Sequence, residues 1–130
     1  MKNTVQKILI VDDDIDLCFL LNHFLSSKGY LVTERYTGSC ALKFLETEHT
    51  DLVISDLKLD DTDGITLLNS IKALHPQLPV IIITGFTDTS TSEMALKQGA
   101  FRYISKPLLP DHVLTVIQQA LTEKAKLEPL

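Results

Sequence analysis

Five short runs of β-branched and aliphatic residues recur along the chain, at Ile8–Val11, Leu31–Thr33, Leu52–Ser55, Val80–Thr84 and Phe101–Ser105. Three of them are almost continuously apolar, the pattern of strands buried on both faces of a sheet. Segments with helical spacing separate them. The first spans about Asp14 to Lys28, carries Leu17, Leu20, Leu21, Phe24 and Leu25 on one face, and stops at Gly29. The second holds Ala41, Leu42 and Leu45. The third starts after Gly64, carries Ile65, Leu68 and Ile71, and ends before Pro76. The fourth contains Met94, Ala95 and Leu96 and stops at Gly99, and the last begins near Pro110 with Val113, Ile117, Ala120 and Leu121. Five strand–helix units with short links predict an α/β fold, a doubly wound five-stranded parallel sheet with helices on both faces. The flavodoxin-like order 2-1-3-4-5 suits this count, although periodicity alone does not fix strand order.

The remaining bulk properties narrow the class. A chain of 130 residues with 45% hydrophobic and 22% charged residues has the composition of one ordinary globular domain. No apolar run approaches the roughly 18 residues of a membrane span, and Met1–Lys7 lacks the apolar stretch of a secretory signal, so the cytoplasm is the expected compartment. The net charge of -5 and a pI near 5.2 offer no basic stripe, so direct nucleic-acid binding by this domain is not expected. Cys18 and Cys40 lie in apolar-periodic segments and are expected to be small buried core thiols, not a disulfide. His23, His49, His75 and His112 show no metal-ligand spacing.

In such a sheet, ligands bind beyond the carboxyl ends of the strands. The first strand ends in Asp12-Asp13-Asp14, the third in Asp56, the fourth in Thr84 and the fifth in Lys106-Pro107. In the order 2-1-3-4-5, strands 1, 3, 4 and 5 are neighbours, so these residues share one rim. Two unit charges about 4 Å apart repel by roughly 4 kcal/mol at an effective dielectric near 20, so clustered carboxylates call for a counter-charge. An oxygen-only ligand set favours Mg²⁺ over zinc or copper. Lys106 adds a second cation and Thr84 a hydroxyl donor. A metal, a cation, a donor and an acceptor oxygen are the parts of a phosphoryl-transfer site. Each part has a plainer reading: Asp14 alone fits a helix N-cap, Thr84 a structural hydroxyl and Lys106 a solvated surface charge. Their coincidence at four strand ends favours function.

The segments ILIVDDD (8–14), DLVISDLKLDDTDG (51–64), PVIIITG (79–85) and GAFRYISKP (99–107) resemble the receiver domain of two-component response regulators, in the CheY-like superfamily. The resemblance covers residues 6–122 and leaves 123–130 as a tail or linker stump. It implies a phosphoryl-accepting switch that takes its phosphoryl group from the phosphohistidine of a sensor histidine kinase. Position by position, Asp12, Asp13 and Asp56 match the Mg²⁺ ligands, with the backbone carbonyl of Lys58 completing the set. Asp56 matches the phosphoacceptor, Thr84 the hydroxyl that grips the phosphoryl group, and Lys106 the cation. Tyr103 matches the aromatic that turns inward as Thr84 moves, and Lys106–Pro107 the cis peptide. Catalysis is then confined to the domain's own phosphotransfer and self-dephosphorylation. The GAFRYISKP segment resembles receivers of nitrogen-regulation-type transcriptional activators, which implies a C-terminal output domain or a downstream partner, and a monomer or phosphorylation-promoted homodimer. A stand-alone regulator fits equally.

Three positions depart from the family pattern. Asp60 stands where relatives often have proline, so the loop after Asp56 is expected to be looser and more acidic. Lys58 replaces a common apolar residue, and bulky Phe86 follows Thr84 by two. Phe86 is expected to shield the acyl phosphate from water, with the Lys58 side chain neutralising it.

Competing readings are weaker. A haloacid-dehalogenase-type phosphatase built on Asp12 and Asp14 needs a late acidic pair, and only Asp111 and acids of the final helix follow Lys106. A flavin carrier needs a phosphate loop where this chain has three aspartates. A calcium loop over Leu59–Ser70 puts leucine and serine at the end ligand positions. A receiver that binds partners without phosphorylation has no reason to keep every site residue.

Overall fold

A computed structural model describes residues 4–85 and 89–127. The chain alternates strand and helix: β1 (Lys7–Val11), α1 (Ile15–Ser27), β2 (Leu31–Arg35), α2 (Gly38–Thr47), β3 (Leu52–Asp56), α3 (Gly64–Leu74), β4 (Val80–Thr84), α4 (Thr89–Lys97), β5 (Arg102–Ser105) and α5 (Pro110–Leu127). The strands form one parallel sheet in the order β2-β1-β3-β4-β5.

The pleat divides the apolar residues of the central strands between two cores. Ile8, Ile10, Leu52, Ile54, Ile81 and Ile83 face α1 and α5, where they meet Cys18, Leu21, Leu25, Val113 and Ile117. Leu9, Val11, Val53, Val80 and Ile82 face the other way, onto Ala41, Leu45, Leu67, Leu68, Ile71 and Ala95. Burial on both faces is why these strands read as unbroken apolar runs. The edge strands β2 and β5 are only partly buried and carry polar residues.

Helix ends follow local chemistry. Asp14, Thr37 and Asp63 are the N-caps of α1, α2 and α3, each accepting from the amide three residues on. Gly29 follows α1 with φ 97°, in the left-handed region that ends helices cheaply only at glycine. Gly64 opens α3 against the end of β3. A Cβ there would lie 2.5 Å from Leu57 Cα and 2.6 Å from the Asp56 carbonyl oxygen, so only glycine lets the helix start so close to the strand.

Two expectations need correction. The buried stripe of α1 is Cys18, Leu21 and Leu25, flanked by Leu17 and Phe24, whereas Leu20 is 65% exposed. Cys40 is exposed, because it sits in the first turn of α2 on the face opposite Ala41 and Leu45; Cys18 is buried as expected, and both are free thiols. Helix α5 runs through Leu127, and its Lys124 ammonium approaches the Asp51 carboxylate at 3.9 Å.

Candidate functional site

The register of the sheet builds the site. Val11 pairs with Ser55, Asp56 with Ile83, and Thr84 with Ser105, so the residues that end β1, β3, β4 and β5 lie along one rim. Asp12 and Asp13 come directly after β1, Asp56 closes β3, Thr84 closes β4, and Lys106 follows β5. Carboxylate oxygens of Asp12, Asp13 and Asp56 all lie within 4.8 Å of one another. The Lys106 ammonium reaches between two of these acids, 3.1 Å from Asp12 Oδ2 and 3.3 Å from Asp56 Oδ2.

Burial makes this arrangement electrostatically expensive. Asp12 is fully buried and Asp56 nearly so, while Asp13 is exposed at the mouth. Burial, with the nearby Asp56 charge added, pushes the Asp12 carboxyl up to about 6, against the opposing pull of the Asp14 amide and Lys106. Burial pulls the Lys106 ammonium down, but its contacts with Asp12 and Asp56 outweigh this and hold it above the ordinary lysine value. Asp12 Oδ1 accepts from the Asp14 amide at 3.0 Å. Asp12 Oδ2 is buried and is ion-paired with the Lys106 ammonium.

A buried carboxylate beside two further carboxylates, with a single ammonium between two of them, fits a hard divalent cation, which would relieve the remaining repulsion. The fully buried Cys18 thiol donates to the Asp12 carbonyl at 3.3 Å; burial, reinforced by the Asp12 charge, pushes it up to about 12, so it stays protonated and supplies no soft ligand.

The structure therefore brings together Asp12, Asp13, Asp56 and Lys106. The Lys58 amide donates to Asp56 Oδ1 at 3.3 Å, and Lys58 lines the open cleft with Asp13 and Asp56. Thr84 is fully buried at the adjoining strand end, and its carbonyl accepts from the Lys106 amide at 2.8 Å. Tyr103 lies on β5 three residues before Lys106, opposite Ile82, and is 38% exposed, so its ring is outside the cluster. The Lys106–Pro107 peptide is cis. Phe86 lies outside the described residues. Asp14 is the α1 cap, its Oδ1 accepting from the Leu17 amide at 3.1 Å, and does not join the acids.

Sequence reasoning missed the contacts of two residues in the loop after Asp56. Asp60 lies beside Asp13, whose charge and hydrogen bond raise the Asp60 carboxyl. Asp61 accepts from the Gly38 and Ser39 amides of α2, which hold its carboxyl below the usual range. The loop is thus more acidic, as expected, but pinned and not loose. The signal was the acid in place of proline at position 60; its neighbour's tertiary role could not be read from spacing.

The sequence matches the response regulator receiver domain family over residues 8–118. The chain belongs to that family. It is 40% identical over 114 residues to the transcriptional regulatory protein ZraR of Salmonella typhimurium, a match covering 88% of this chain and 26% of ZraR. Identity to the DNA-binding transcriptional regulator NtrC of Proteus hauseri is 36% over 115 residues, 88% of this chain and 24% of NtrC. The chain thus spans about a quarter of the length of these curated relatives. A CheY-like receiver domain protein from Methanospirillum hungatei JF-1 superposes with a TM-score of 0.92 at 34% identity, covering 95% of this chain and 98% of that one. NtrX from Brucella abortus gives 0.89 at 32% identity, over 94% of this chain and 28% of NtrX. The receiver is a phosphorylation-regulated switch of two-component signalling, and among its described residues no helix is long and apolar enough to cross a membrane.

Proposed function

We propose that Asp56 accepts a phosphoryl group from the phosphohistidine of a sensor histidine kinase, and that the resulting acyl phosphate drives the receiver to its active conformation. The observation that carries this reading is the Lys106 ammonium shared between Asp12 and Asp56 beside the three-carboxylate cluster. Asp12 and Asp56 each have the Lys106 ammonium on one oxygen and a backbone amide on the other. Asp12 is fully buried whereas Asp56 lines the open cleft, so the Asp56 carboxylate is both oriented and reachable before phosphorus arrives. One Asp56 oxygen attacks phosphorus in line, the P–N bond to the histidine breaks, and that nitrogen leaves with the bonding pair. Lys106 is positioned to neutralise charge on the equatorial oxygens. Asp12, Asp13, Asp56 and the Lys58 carbonyl would hold Mg²⁺, which when bound supplies further neutralisation of those oxygens.

Output follows from contacts that exist only after modification. Thr84 and Lys106 can bond to the phosphoryl oxygens, and moving a two-state domain from 1:99 to 99:1 takes about 5.5 kcal/mol of differential stabilisation. Met94 and Leu96 of α4 and Tyr103 of β5 are exposed, which suits an α4–β5–α5 face that reads the switch out to an output domain, a downstream partner or a second copy. The exposed Ile15, Phe19 and Leu20 of α1, close in the chain to the acidic pair, offer apolar area for a kinase helix.

The test uses phosphoramidate, which carries the P–N bond of the natural donor in minimal form. Incorporation of one phosphoryl group with Mg²⁺ and none with excess chelator supports the reading; incorporation that ignores the chelator contradicts it.

A further inference from the structure

The connection between β3 and α3 is tied to a different part of the fold. Asp61 Oδ1 accepts from the Gly38 amide at 2.8 Å and Asp61 Oδ2 from the Ser39 amide at 2.9 Å. These are the first two amides of α2, groups that have no partner within their own helix. The third, Cys40, is capped locally by Thr37 Oγ1 at 3.1 Å. One carboxylate from a distant loop therefore finishes the N-terminus of α2, with both oxygens engaged.

The loop that carries Asp61 is closed on itself. The Leu59 amide donates to the Thr62 carbonyl at 3.2 Å, Lys58 and Asp63 form an antiparallel bridge, and the Gly64 amide donates to the Leu57 carbonyl at 2.7 Å. Contact with α2 is close-packed as well as polar: a Cβ on Gly38 would lie 2.5 Å from Thr62 Cγ2. On its other side the same turn meets the acids. Lys58 is bonded through its amide to Asp56, and Asp60 lies against Asp13. Displacing Asp61 must move all of these together.

We infer that Asp61 is a positioning residue: its carboxylate straps the turn 58–63 to the N-terminus of α2, and so holds the Lys58 main chain and Asp60 at the cation-binding mouth. This rests on the reading that Asp12, Asp13, Asp56 and the Lys58 carbonyl hold Mg²⁺. With both oxygens taken by α2 amides and outside the cluster of Asp12, Asp13 and Asp56, the Asp61 carboxylate acts through the loop, as outer-shell partners of metal ligands do.

The test is calorimetric titration of Mg²⁺ into the unphosphorylated chain, paired with thermal melting in chelator. Asp61→Ala is expected to weaken Mg²⁺ binding by about tenfold. Gly38→Ala removes no charge but drives a methyl group into Thr62, and is expected to weaken binding in the same direction. Thr37→Ala removes the local α2 cap; it is expected to lower the melting temperature while leaving Mg²⁺ affinity within about twofold of wild type, because it releases no part of the loop. Should Asp61→Ala fail to fold, Asp61→Asn keeps one acceptor and is expected to give a smaller weakening. Wild-type affinity in the folded position-61 variant would overturn the inference, as would an equal loss in Thr37→Ala, the mark of a general loosening of α2. An effect of Asp61→Ala that Gly38→Ala does not share would assign the loss to charge and overturn it too. A wild-type chain that binds no Mg²⁺ would instead bring down the underlying reading, and the inference with it.

Discussion

Asp12 and Asp14 are two residues apart and have opposite energetic roles. Asp14 is exposed and caps α1; Asp12 is fully buried and lies beside the Asp56 charge. An acid whose folded pKa is raised disfavours the fold once ionised. For Asp12 the contribution to stability is complete below the unfolded value of 3.8 and is lost as pH rises through about 6. Asp12→Asn is therefore expected to stabilise the metal-free domain by about 3 kcal/mol at pH 7.5 and to flatten its stability between pH 4 and 6, roughly the interval set by these values. Urea unfolding at several pH values in chelator measures both effects. The same change should cost Mg²⁺ affinity, since a neutral amide replaces a charged ligand. Asp14→Ala should do the reverse, lowering stability by about 1 kcal/mol while leaving phosphoryl incorporation intact. Spacing placed both residues at the end of β1 and allowed Asp14 a helix N-cap; the family resemblance was what assigned Asp12, and not Asp14, to the cation, because capping and metal binding want the same side chain there.

The elements themselves were the most legible part. Strands buried on two faces and helices punctuated by Gly29, Gly64, Gly99 and Pro110 announce the alternation directly, and all ten elements lie where period and punctuation put them. What escaped was the identity of exposed faces. Leu20 has helical spacing with Leu17, Leu21 and Phe24, yet the stripe turns toward Cys18, since a helix on a sheet buries a narrower arc than its apolar residues span. The loop of Asp60 and Asp61 escaped for a related reason: its contacts with Asp13 and with Gly38 join positions far apart in the chain. At Gly64 the start of α3 meets main-chain atoms at the end of β3. Gly64→Ala forces a Cβ onto Leu57 Cα and the Asp56 carbonyl, so it is expected to cost about 3 kcal/mol and to shift the end of β3. Chemical denaturation gives the first number. A backbone amide shift of Asp56 larger than those in the β1–β2 edge reports the second.

For the molecule as a whole, the site keeps the metal-free fold below its attainable stability, so a bound cation should be felt globally. At pH 7.5, Mg²⁺ at about 100 times its dissociation constant should add about 2.7 kcal/mol to the unfolding free energy. That gain should shrink as pH falls below about 6, where Asp12 takes up a proton that the cation must displace. Unfolding with and without Mg²⁺ at pH 7.5 and 5 checks the sign; a gain that grows on acidification would contradict it. Signalling by this domain turns on one side chain, and one measurement reaches it directly. Intact mass after treatment with acetyl phosphate and Mg²⁺ should show a single added phosphoryl group on the wild-type chain and none on the Asp56→Asn variant. A phosphoryl group on that variant, or none on the wild type, would contradict the assignment of Asp56 as the acceptor.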